Sequence, residues 1–310
     1  MNKLLKKIIT FAFLIIINMQ IFGQGWQWGN PWDVYWFTDM VHSLQWLNEH
    51  PLFDPSGGGG PGVLPRVTEL IIMTYNIQRC KEPEKHAAVI NASNPDIVSI
   101  QEMKHQSRYD KVKQKTGLSG KFSYFPPKPP LNIRSGHATL WKTTTVGTPT
   151  CRHEIINLPQ TDSYNIKKAA YTALYFRDFN FVSTHYPPKY TINKNAMSDA
   201  ILNDGVSSSA VKPVYMAGDF NCNPDSEVIK KFTNPTPPNQ YHTFDVLNNL
   251  AKEANGKYID WTGPDGVGHM IDLILGNNRN SNKEILEQGI PWYDNEITDH
   301  KPYRVKIKIK

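Results

Sequence analysis

The segment Val214-Tyr215-Met216-Ala217-Gly218-Asp219-Phe220-Asn221 is an apolar run that breaks at two polar side chains. Runs of about four to eight apolar residues predict buried strands, and polar groups at their ends lie where a sheet opens to solvent. Asp219 and Asn221 are two residues apart, so they share one face of a strand. The segment therefore predicts a strand that carries a carboxylate and a carboxamide to the edge of a sheet.

Five other segments have the same form, an apolar and largely β-branched run that ends in a carboxylate, carboxamide or imidazole. They cover residues 71–76, 97–102, 181–185, 270–272 and 297–300. Six ends that carry only Asn, Glu, His and Asp predict one oxygen-rich, metal-assisted site assembled from most of the chain. Glu102 is a hard oxygen ligand of the kind that Mg²⁺ prefers. Zinc would require tighter sets of His or Cys, and the sequence offers none.

Strand-like and helix-like stretches alternate from Val67 to the end of the chain. The patterns predict helices over residues 85–91, 108–116, 195–202 and 226–232, and further strands over 138–141, 171–176 and 179–184. At the C-terminus, Arg304, Lys306 and Lys308 alternate with aliphatic residues. This alternation predicts an edge strand with one charged, solvated face.

The 310 residues suffice for one large α/β domain or two small ones. Residues 1–25 have the layout of a secretory signal peptide, with three lysines, an apolar stretch over residues 8–17 and a small residue at Gly23 or Gly25. An uncleaved N-terminal anchor is the alternative. Removing these three lysines lowers the formal net charge from +6 to +3, which permits binding to a polyanion without requiring it. We expect a secreted or periplasmic protein.

Residues 26–66 form a predicted N-terminal arm that holds five of the eight tryptophans and a Gly-rich linker over residues 55–62. We expect the arm to pack as a helix on the outside of the main domain; a tethered lid or recognition surface is the alternative. The three cysteines, Cys80, Cys151 and Cys222, allow one disulfide in an oxidising compartment, with three possible pairings.

Taken together and in order, six motifs resemble the endonuclease/exonuclease/phosphatase superfamily, of which DNase I is a type member. The motifs are Thr74-Tyr75-Asn76, Gln101-Glu102, Ser183-Thr184-His185, Gly218-Asp219-Phe220-Asn221, Ile271-Asp272 and Thr298-Asp299-His300. The resemblance covers residues 67–310 and identifies the chain as a secreted, bacterial-type member. It implies an α/β (α+β) fold in four layers, with two mixed, mostly antiparallel β-sheets face to face and helices outside. It also implies hydrolysis of phosphoesters with Mg²⁺ or Mn²⁺, Ca²⁺ being possible.

The resemblance further implies roles for individual residues. Glu102 would be the principal metal ligand, helped by Asn76 and Asp299. His300 would be the general base that takes a proton from the attacking water, with Asp272 orienting its ring. On chemical grounds alone, this reaction requires two groups. One is a metal that neutralises the anionic phosphoester, and the other is a base with a pKa near ambient pH.

The other implied roles concern the phosphate. His185 would steady the scissile phosphate or protonate the leaving oxygen, and Asp219 and Asn221 would position the water and a phosphate oxygen. Many relatives carry an arginine before the His-bearing strand. Here Lys167 and Lys168 take that place and offer a point charge without a bidentate fork.

The stretch Arg134-Ser135-Gly136-His137 lies where relatives often place a residue that contacts the phosphate. Arg134 and His137 are therefore further candidates for substrate binding. A simple entry from a loop into a strand is the alternative for this stretch.

We expect a nuclease that hydrolyses DNA phosphodiester bonds, because the chain is exported, mildly basic and has two imidazoles in its site. The alternative is a phosphatase or phosphodiesterase that acts on inositol phosphates or phospholipid head groups, a sphingomyelinase-like enzyme included. A catalytically inactive binding protein is a third hypothesis, which the complete set of catalytic carboxylates and histidines disfavours. We expect a monomer with no stable protein partner.

Overall fold

The computed structural model of the chain describes residues 66–124, 135–161, 167–204, 212–234, 243–264, 268–277, 283–293 and 295–309. These residues belong to one compact unit, Leu64–Lys310. The signal peptide predicted for residues 1–25 and nearly all of the arm predicted for residues 26–66 lie outside the described residues. The boundaries between signal peptide, arm and catalytic domain therefore stay predictions.

The first sheet contains six strands: β1 (Glu69–Asn76), β2 (Ile97–Lys104), β3 (Ser119–Tyr124), β4 (Ser135–Trp141), β11 (Lys283–Gly289) and β12 (Tyr303–Ile309). Their order across the sheet is β11-β12-β1-β2-β4-β3. Only β1 and β2 pair in parallel, and all other neighbours are antiparallel. The sheet is thus mixed and mostly antiparallel.

The second sheet repeats this plan with the strands β5 (Thr150–Asn157), β6 (Lys168–Tyr175), β7 (Asn180–His185), β8 (Val214–Asp219), β9 (Phe244–Val246) and β10 (Asp272–Asn277). Their order is β5-β6-β7-β8-β10-β9. Again only the central pair, β7 and β8, is parallel. Each sheet therefore has one parallel pair near its middle.

The helices are α1 (Pro83–Ser93), α2 (Gln106–Thr116), α3 (Thr143–Val146), α4 (Thr191–Leu202) and α5 (Glu227–Thr233), with a 3₁₀ turn at Gln78–Cys80. Apolar residues of α1 and α2 pack on the outer face of the first sheet, and those of α4 and α5 on the outer face of the second. None of the helices among the described residues is both long and apolar enough to span a lipid bilayer.

A third apolar cluster fills the space between the sheets. It includes Ile72 of β1, Phe181 of β7 and Ile274 of β10, all fully buried. The layers are therefore helices, sheet, sheet and helices, which confirms the predicted four-layer α/β fold. Burial of both sheets on both faces explains why their central strands are continuous apolar runs.

Alternation along the strands decides which side chains reach the space between the sheets. In β1, Leu70 and Ile72 face the second sheet, whereas Met73 and Tyr75 face the helices. Because side chains two residues apart share a face, Asn76 also points between the sheets. The polar end of β1 is therefore directed inward rather than toward the outer helices.

Strand β2 departs from this alternation at Glu102, the predicted metal ligand. Val98 and Ile100 face the helices, so a regular strand would place Glu102 there too. A β-bulge intervenes, because two residues of β2, Gln101 and Glu102, lie opposite His137 of β4. Glu102 adopts a positive φ of 57°, and its carboxylate lies 3.4 Å from the Asn76 amide nitrogen. Bulges often re-aim a side chain in this way.

The prediction of a C-terminal edge strand is wrong. Strand β12 lies between β11 and β1, because the polar strand β11 adds to the sheet beyond it. Its charged face is paired across the strands: Arg304 with Glu287 at 3.0 Å and Lys306 with Glu69 at 2.9 Å. The alternating lysines and arginine thus mark cross-strand ion pairs.

The three cysteines are free thiols in the structure. Burial raises the pKa of Cys80 to about 12 and the pKa of Cys222 to about 11. Neither group is therefore a thiolate at neutral pH, and no disulfide joins the described strands.

Gly218 generates a stability prediction, because β7 and β8 approach closely where it lies. A Cβ at this position would stand 2.1 Å from the carbonyl oxygen of Thr184. We expect Gly218→Ala to lower the free energy of unfolding by about 3 kcal/mol, as overpacking against backbone does, in urea titrations followed by circular dichroism. Gly117→Ala is the control: this glycine has open space and a φ of +68°, so only the cost of a left-handed alanine, about 1 kcal/mol, is expected. Equal losses in the two variants would contradict the close approach.

Candidate active site

The polar strand ends meet at one end of the two sheets. Strands β1 and β2 are parallel and so finish together, as do β7 and β8. Strands β10 and β12 run antiparallel to β8 and β1, so their beginnings lie at this same end. The topology thus assembles in one place the six motifs that the sequence distributes from residue 74 to residue 300.

Asn76 connects the two sheets at this end. Its Nδ2 donates to Asp219 Oδ2 at 3.0 Å and to Glu102 Oε1 at 3.4 Å. Its Oδ1 accepts the backbone N–H of Gln78 at 3.1 Å. The buried carboxamide therefore gathers two carboxylates from different sheets. Asn76 was predicted to bind metal through its amide oxygen, and in this arrangement that oxygen is turned to the backbone of Gln78.

Asp219 lies at the centre of the site and is almost fully buried. Its Oδ1 accepts the backbone N–H of Asn221 at 2.7 Å. Its Oδ2 accepts from Asn76 and lies 3.7 Å from His185 Nε2. The structure thus brings Asn76, His185, Asp219 and Asn221 together, as the sequence motifs predicted.

Asn221 adopts a left-handed backbone conformation with φ of 51°, which asparagine tolerates better than most residues. Its Nδ2 donates to the carbonyl of Tyr186 at 2.9 Å, and its own carbonyl accepts from Lys194 Nζ. Three segments therefore hold this residue, and such over-determined positive-φ residues are typical of functional sites.

His300 and Asp272 form a buried pair. His300 Nδ1 lies 2.8 Å from Asp272 Oδ2, which leaves Nε2 as the nitrogen that can accept a proton. Burial raises the pKa of Asp272 above its usual range. Burial alone would lower the pKa of His300, but the charge and the hydrogen bond of Asp272 outweigh it and raise that pKa. The pair can thus hold an imidazolium beside a carboxylate.

Thr298 anchors the segment that carries His300. Its hydroxyl donates to the carbonyl of Asn76 at 2.9 Å and accepts the backbone N–H of His300 at 3.2 Å. The dyad is therefore tied to the strand that carries Asn76. Asp299, between these residues, is exposed, and its charge also raises the pKa of His300.

The predicted substrate-binding residues lie in different surroundings. Lys168 begins β6 on the face that also presents Thr172, and Ala170 pairs with His185. This places an exposed ammonium at the active-site end of the second sheet. Arg134 lies outside the described residues. His137 is fully buried between the sheets, where its Nε2 hydrogen-bonds Thr172 Oγ1 at 2.8 Å.

His137 therefore contacts the protein interior rather than the open end of the sheets. Burial lowers its pKa well below the ordinary value, which favours the neutral ring. It lies opposite the bulge that turns Glu102. The structure thus places His137 beneath the site, where it supports the strand of Glu102, and does not bring it to a position where it could touch a ligand.

The charge balance of the site fits a divalent cation. Glu102 and Asp219 converge on one amide, and no lysine or arginine within the described ranges forms an ion pair with either carboxylate. Asp219, Asp272 and His300 also offer ligand atoms within 4.8 Å of one another. A second carboxylate beside the buried Asp219 is costly unless a cation offsets the repulsion, and hard oxygen donors are what Mg²⁺, Mn²⁺ and Ca²⁺ bind.

Sequence reasoning missed the groups that support these side chains, notably Tyr186, Lys194, Asn248 and Thr262. They hold the site through backbone carbonyls and N–H groups. Such contacts join segments that are far apart in the chain, so no local sequence pattern predicts them.

Two face-to-face sheets with a His–Asp pair beside converging carboxylates agree with the DNase I-like superfamily of phosphoesterases. The sequence profile of the Endonuclease/Exonuclease/phosphatase family matches residues 73–300. The chain belongs to this family, as its six motifs predicted, and the family is typically dependent on a divalent metal. A comparison with curated proteins found no match.

Solved structures share the fold at low sequence identity. An endonuclease/exonuclease/phosphatase from Bacteroides vulgatus is similar with a TM-score of 0.60 and 16% identity, over 78% of this chain and 100% of that one. A mannosyl-6-phosphatase from Bacteroides thetaiotaomicron gives a TM-score of 0.60 and 12% identity, over 77% and 100%. ANGEL2, a 2',3'-cyclic phosphatase bound to adenosine-2',3'-vanadate, gives 0.56 and 15%, over 80% and 99%.

The charge balance predicts that cations stabilise the fold through Glu102. We expect added Mg²⁺ or Mn²⁺ to raise the melting temperature, since a ligand at about 100 times its Kd stabilises by about 2.7 kcal/mol. Glu102→Gln keeps the shape of the side chain but removes the charge, and it should abolish most of this rise. Glu284→Gln on the exposed strand β11 is the control and should keep it. An unchanged rise in Glu102→Gln would exclude Glu102 as the cation ligand.

Proposed function

We propose that the protein is a secreted, Mg²⁺-dependent phosphodiesterase, an endonuclease that hydrolyses DNA phosphodiester bonds with water activated by His300. The observation that carries this proposal is the His300–Asp272 pair, with its 2.8 Å hydrogen bond, beside the Glu102–Asn76–Asp219 cluster. A general base and an anionic cation-binding group are the two elements that hydrolysis of an anionic phosphoester requires.

The cation would be held by Glu102, with help from Asn76 and Asp299. When bound, it supplies positive charge that offsets the charge of the phosphate. Binding through Asn76 requires its amide oxygen, which accepts the Gln78 N–H and still has a second lone pair.

The proton transfer belongs to the dyad. His300 Nε2 takes the proton of the attacking water, and Asp272 holds the ring by Nδ1 and stabilises the imidazolium that results. His185, 3.7 Å from Asp219, is placed to steady the phosphate or to protonate the leaving oxygen. Asp219 and the carboxamide of Asn221 orient the water and a phosphate oxygen.

A polyanionic substrate is supported by the residues around the strand ends. Basic side chains follow or precede these ends in several segments: Arg79, Lys104, Lys168, Lys189, Lys194 and Lys301. Two aromatic side chains in the same segments are exposed, Tyr190 by 39% and Trp292 by 65%. Basic residues bind phosphates, and exposed aromatic rings can stack on bases.

The alternative is a phosphatase or phosphodiesterase on smaller esters, inositol phosphates and phospholipid head groups included. It is favoured by two proteins of the same fold, a mannosyl-6-phosphatase and a 2',3'-cyclic phosphatase. In that case Lys168 contacts the phosphate of the ester, and no nucleobase of the substrate is recognised.

Export is supported by the pattern of residues 1–25. N-terminal sequencing of protein recovered outside the cytoplasm should find a start at Gln24 or Trp26. Recovery of the intact N-terminus in the membrane fraction would favour the uncleaved anchor instead.

The decisive experiment measures hydrolysis of plasmid DNA, RNA, mannose 6-phosphate, phosphatidylinositol phosphates and sphingomyelin with Mg²⁺ or Mn²⁺. We expect cleavage of DNA, lowered by about 10²–10⁴-fold in His300→Gln, because general-base catalysis contributes about that factor. His86→Gln is the control: this imidazole is also buried, but it bonds Tyr75 on the helix side of the first sheet. Activity that survives in His300→Gln would refute the mechanism, whereas turnover of only the smaller esters would refute the DNA substrate.

The raised pKa of His300 generates a pH prediction. A general base works only when it is neutral, so kcat/KM should rise with pH through the His300 pKa. Asp272→Asn removes the negative charge that raises this pKa, and burial then lowers it, although the asparagine oxygen can still accept from Nδ1. We expect the rise to move to lower pH and the plateau to fall, in profiles that run from about pH 5 to above the raised pKa of His300. A rise at the same pH in both proteins would show that it belongs to another group.

A further inference from the structure

Thr262 is a fully buried residue in the connection between β9 and β10. Its hydroxyl oxygen accepts two consecutive backbone N–H groups, from Ile271 at 3.1 Å and from Asp272 at 2.9 Å. An oxygen that accepts two N–H groups has its own hydrogen left to donate. Thr262 is thus bonded directly to the backbone of the acidic member of the dyad.

The backbone of Thr262 reaches the other member. Its carbonyl accepts the N–H of Lys301 at 3.0 Å, and its N–H donates to the carbonyl of His269 at 3.0 Å. Lys301 directly follows His300 in the chain. One residue therefore holds the main chain at Asp272 and the main chain next to His300, and these two dyad residues are 28 positions apart in the chain.

The topology explains why β10 requires such a residue. Strand β9 pairs with β10 only at residues 275–277, so the first half of β10 has no neighbouring strand on that side. Side chains take the place of the missing strand. Asn248 donates to the carbonyl of Asp272 at 3.0 Å and accepts the N–H of Ile274 at 2.8 Å, and Thr262 accepts the two N–H groups before them.

These backbone contacts affect the geometry of the His300–Asp272 hydrogen bond. Asp272 is buried, and one of its oxygens, Oδ1, has no hydrogen-bond partner within the described ranges. The Asp272 side chain is therefore oriented by its backbone, by His300 and by the Thr262 hydroxyl. Burial raises the pKa of Asp272, and this hydroxyl lowers it because it favours the charged carboxylate. A shift of either backbone segment would lengthen or bend the 2.8 Å contact.

We propose that Thr262 is a positioning residue of the active site, which sets the separation and the angle of the His300–Asp272 pair by bonding both segments. The kinetic consequence rests on the function proposed above, but the geometric role does not. A plain stabilising role in the turn is the competing explanation, and it predicts a loss of stability without a change in the dyad.

The first test observes the dyad itself. In protein labelled with ¹⁵N-histidine, the Nδ1–H proton signal of His300 reports its hydrogen bond to Asp272, and His300→Gln assigns the signal. We expect Thr262→Val, which keeps the shape but loses the acceptor, to shift or broaden this signal. Thr262→Ser keeps the hydroxyl and should restore the signal of the original protein.

Thr139→Val is the matched control. Thr139 is a buried threonine of β4 whose hydroxyl has no hydrogen-bond partner within the described residues, so this variant should leave the His300 signal in place. Should Thr262→Val not fold, Thr262→Cys makes the same comparison with a weaker acceptor of similar size. An unchanged His300 signal in a folded variant without the hydroxyl overturns the proposal, whether or not the protein is an enzyme.

The second test is a double-mutant cycle. Thr262→Val should lower kcat by about 10–100-fold, as the loss of supporting groups around active-site residues does, and leave KM within about 2-fold. Added to Asp272→Asn, it should cause little further loss, because residues that act through one interaction are not additive. Full additivity, or a change confined to KM, overturns the positioning role.

The two tests separate the possible failures. If the original protein hydrolyses none of the phosphoesters, the proposed function fails, while the histidine signal still decides the role of Thr262. If the protein is active and Thr262→Val matches Thr139→Val in both tests, the inference fails and the proposed function stands.

Discussion

The hydrogen bond from Asn76 to Asp219 is the interaction around which the site is organised. It joins the last residue of β1 to the last residue of β8 over 3.0 Å, across the space between two sheets. A buried carboxylate requires hydrogen bonds to be tolerated, so the two strands must end at the same level. Glu102, His185 and Asn221 lie around this hydrogen bond, so its position determines theirs. The apolar core between the sheets makes that alignment rigid.

The site concentrates negative charge, and no lysine or arginine of the described residues forms an ion pair with its carboxylates. Glu102 and Asp219 share one amide donor, and Asp272 has only His300 as a charged partner in the described part of the chain. Two residues of the site, Glu102 and Asn221, also have a positive φ. Desolvated charge and strained backbone both oppose folding, and they persist because the surrounding sheets over-determine them. Desolvated charge and backbone strain of this kind are typical of sites that bind a cation and a phosphate.

Much of this could be predicted from the sequence. The apolar segments before Asn76, Glu102, His185 and Asn221 are strands, and the polar ends do lie together. The helix predicted over residues 195–202 begins earlier, at Thr191, directly after Tyr190, whose backbone φ is +58°. The C-terminal strand was misplaced at an edge, since β11 is too polar to be recognised as its neighbour. His137 was expected at the cleft, but the period of β4 directs it inward.

The sequence by itself determined which residues share a face and which strand ends are polar, because a period of two follows from covalent geometry alone. Tertiary structure decided the rest. Only the pairing of β2 with β4 creates the bulge that turns Glu102 away from the helices and toward Asn76. Only the shortness of β9 leaves β10 to be held by Thr262 and Asn248. The bulge and the support of β10 both depend on how a strand pairs with its neighbour. Hydrogen bonds between distant segments produce no periodic pattern in the sequence.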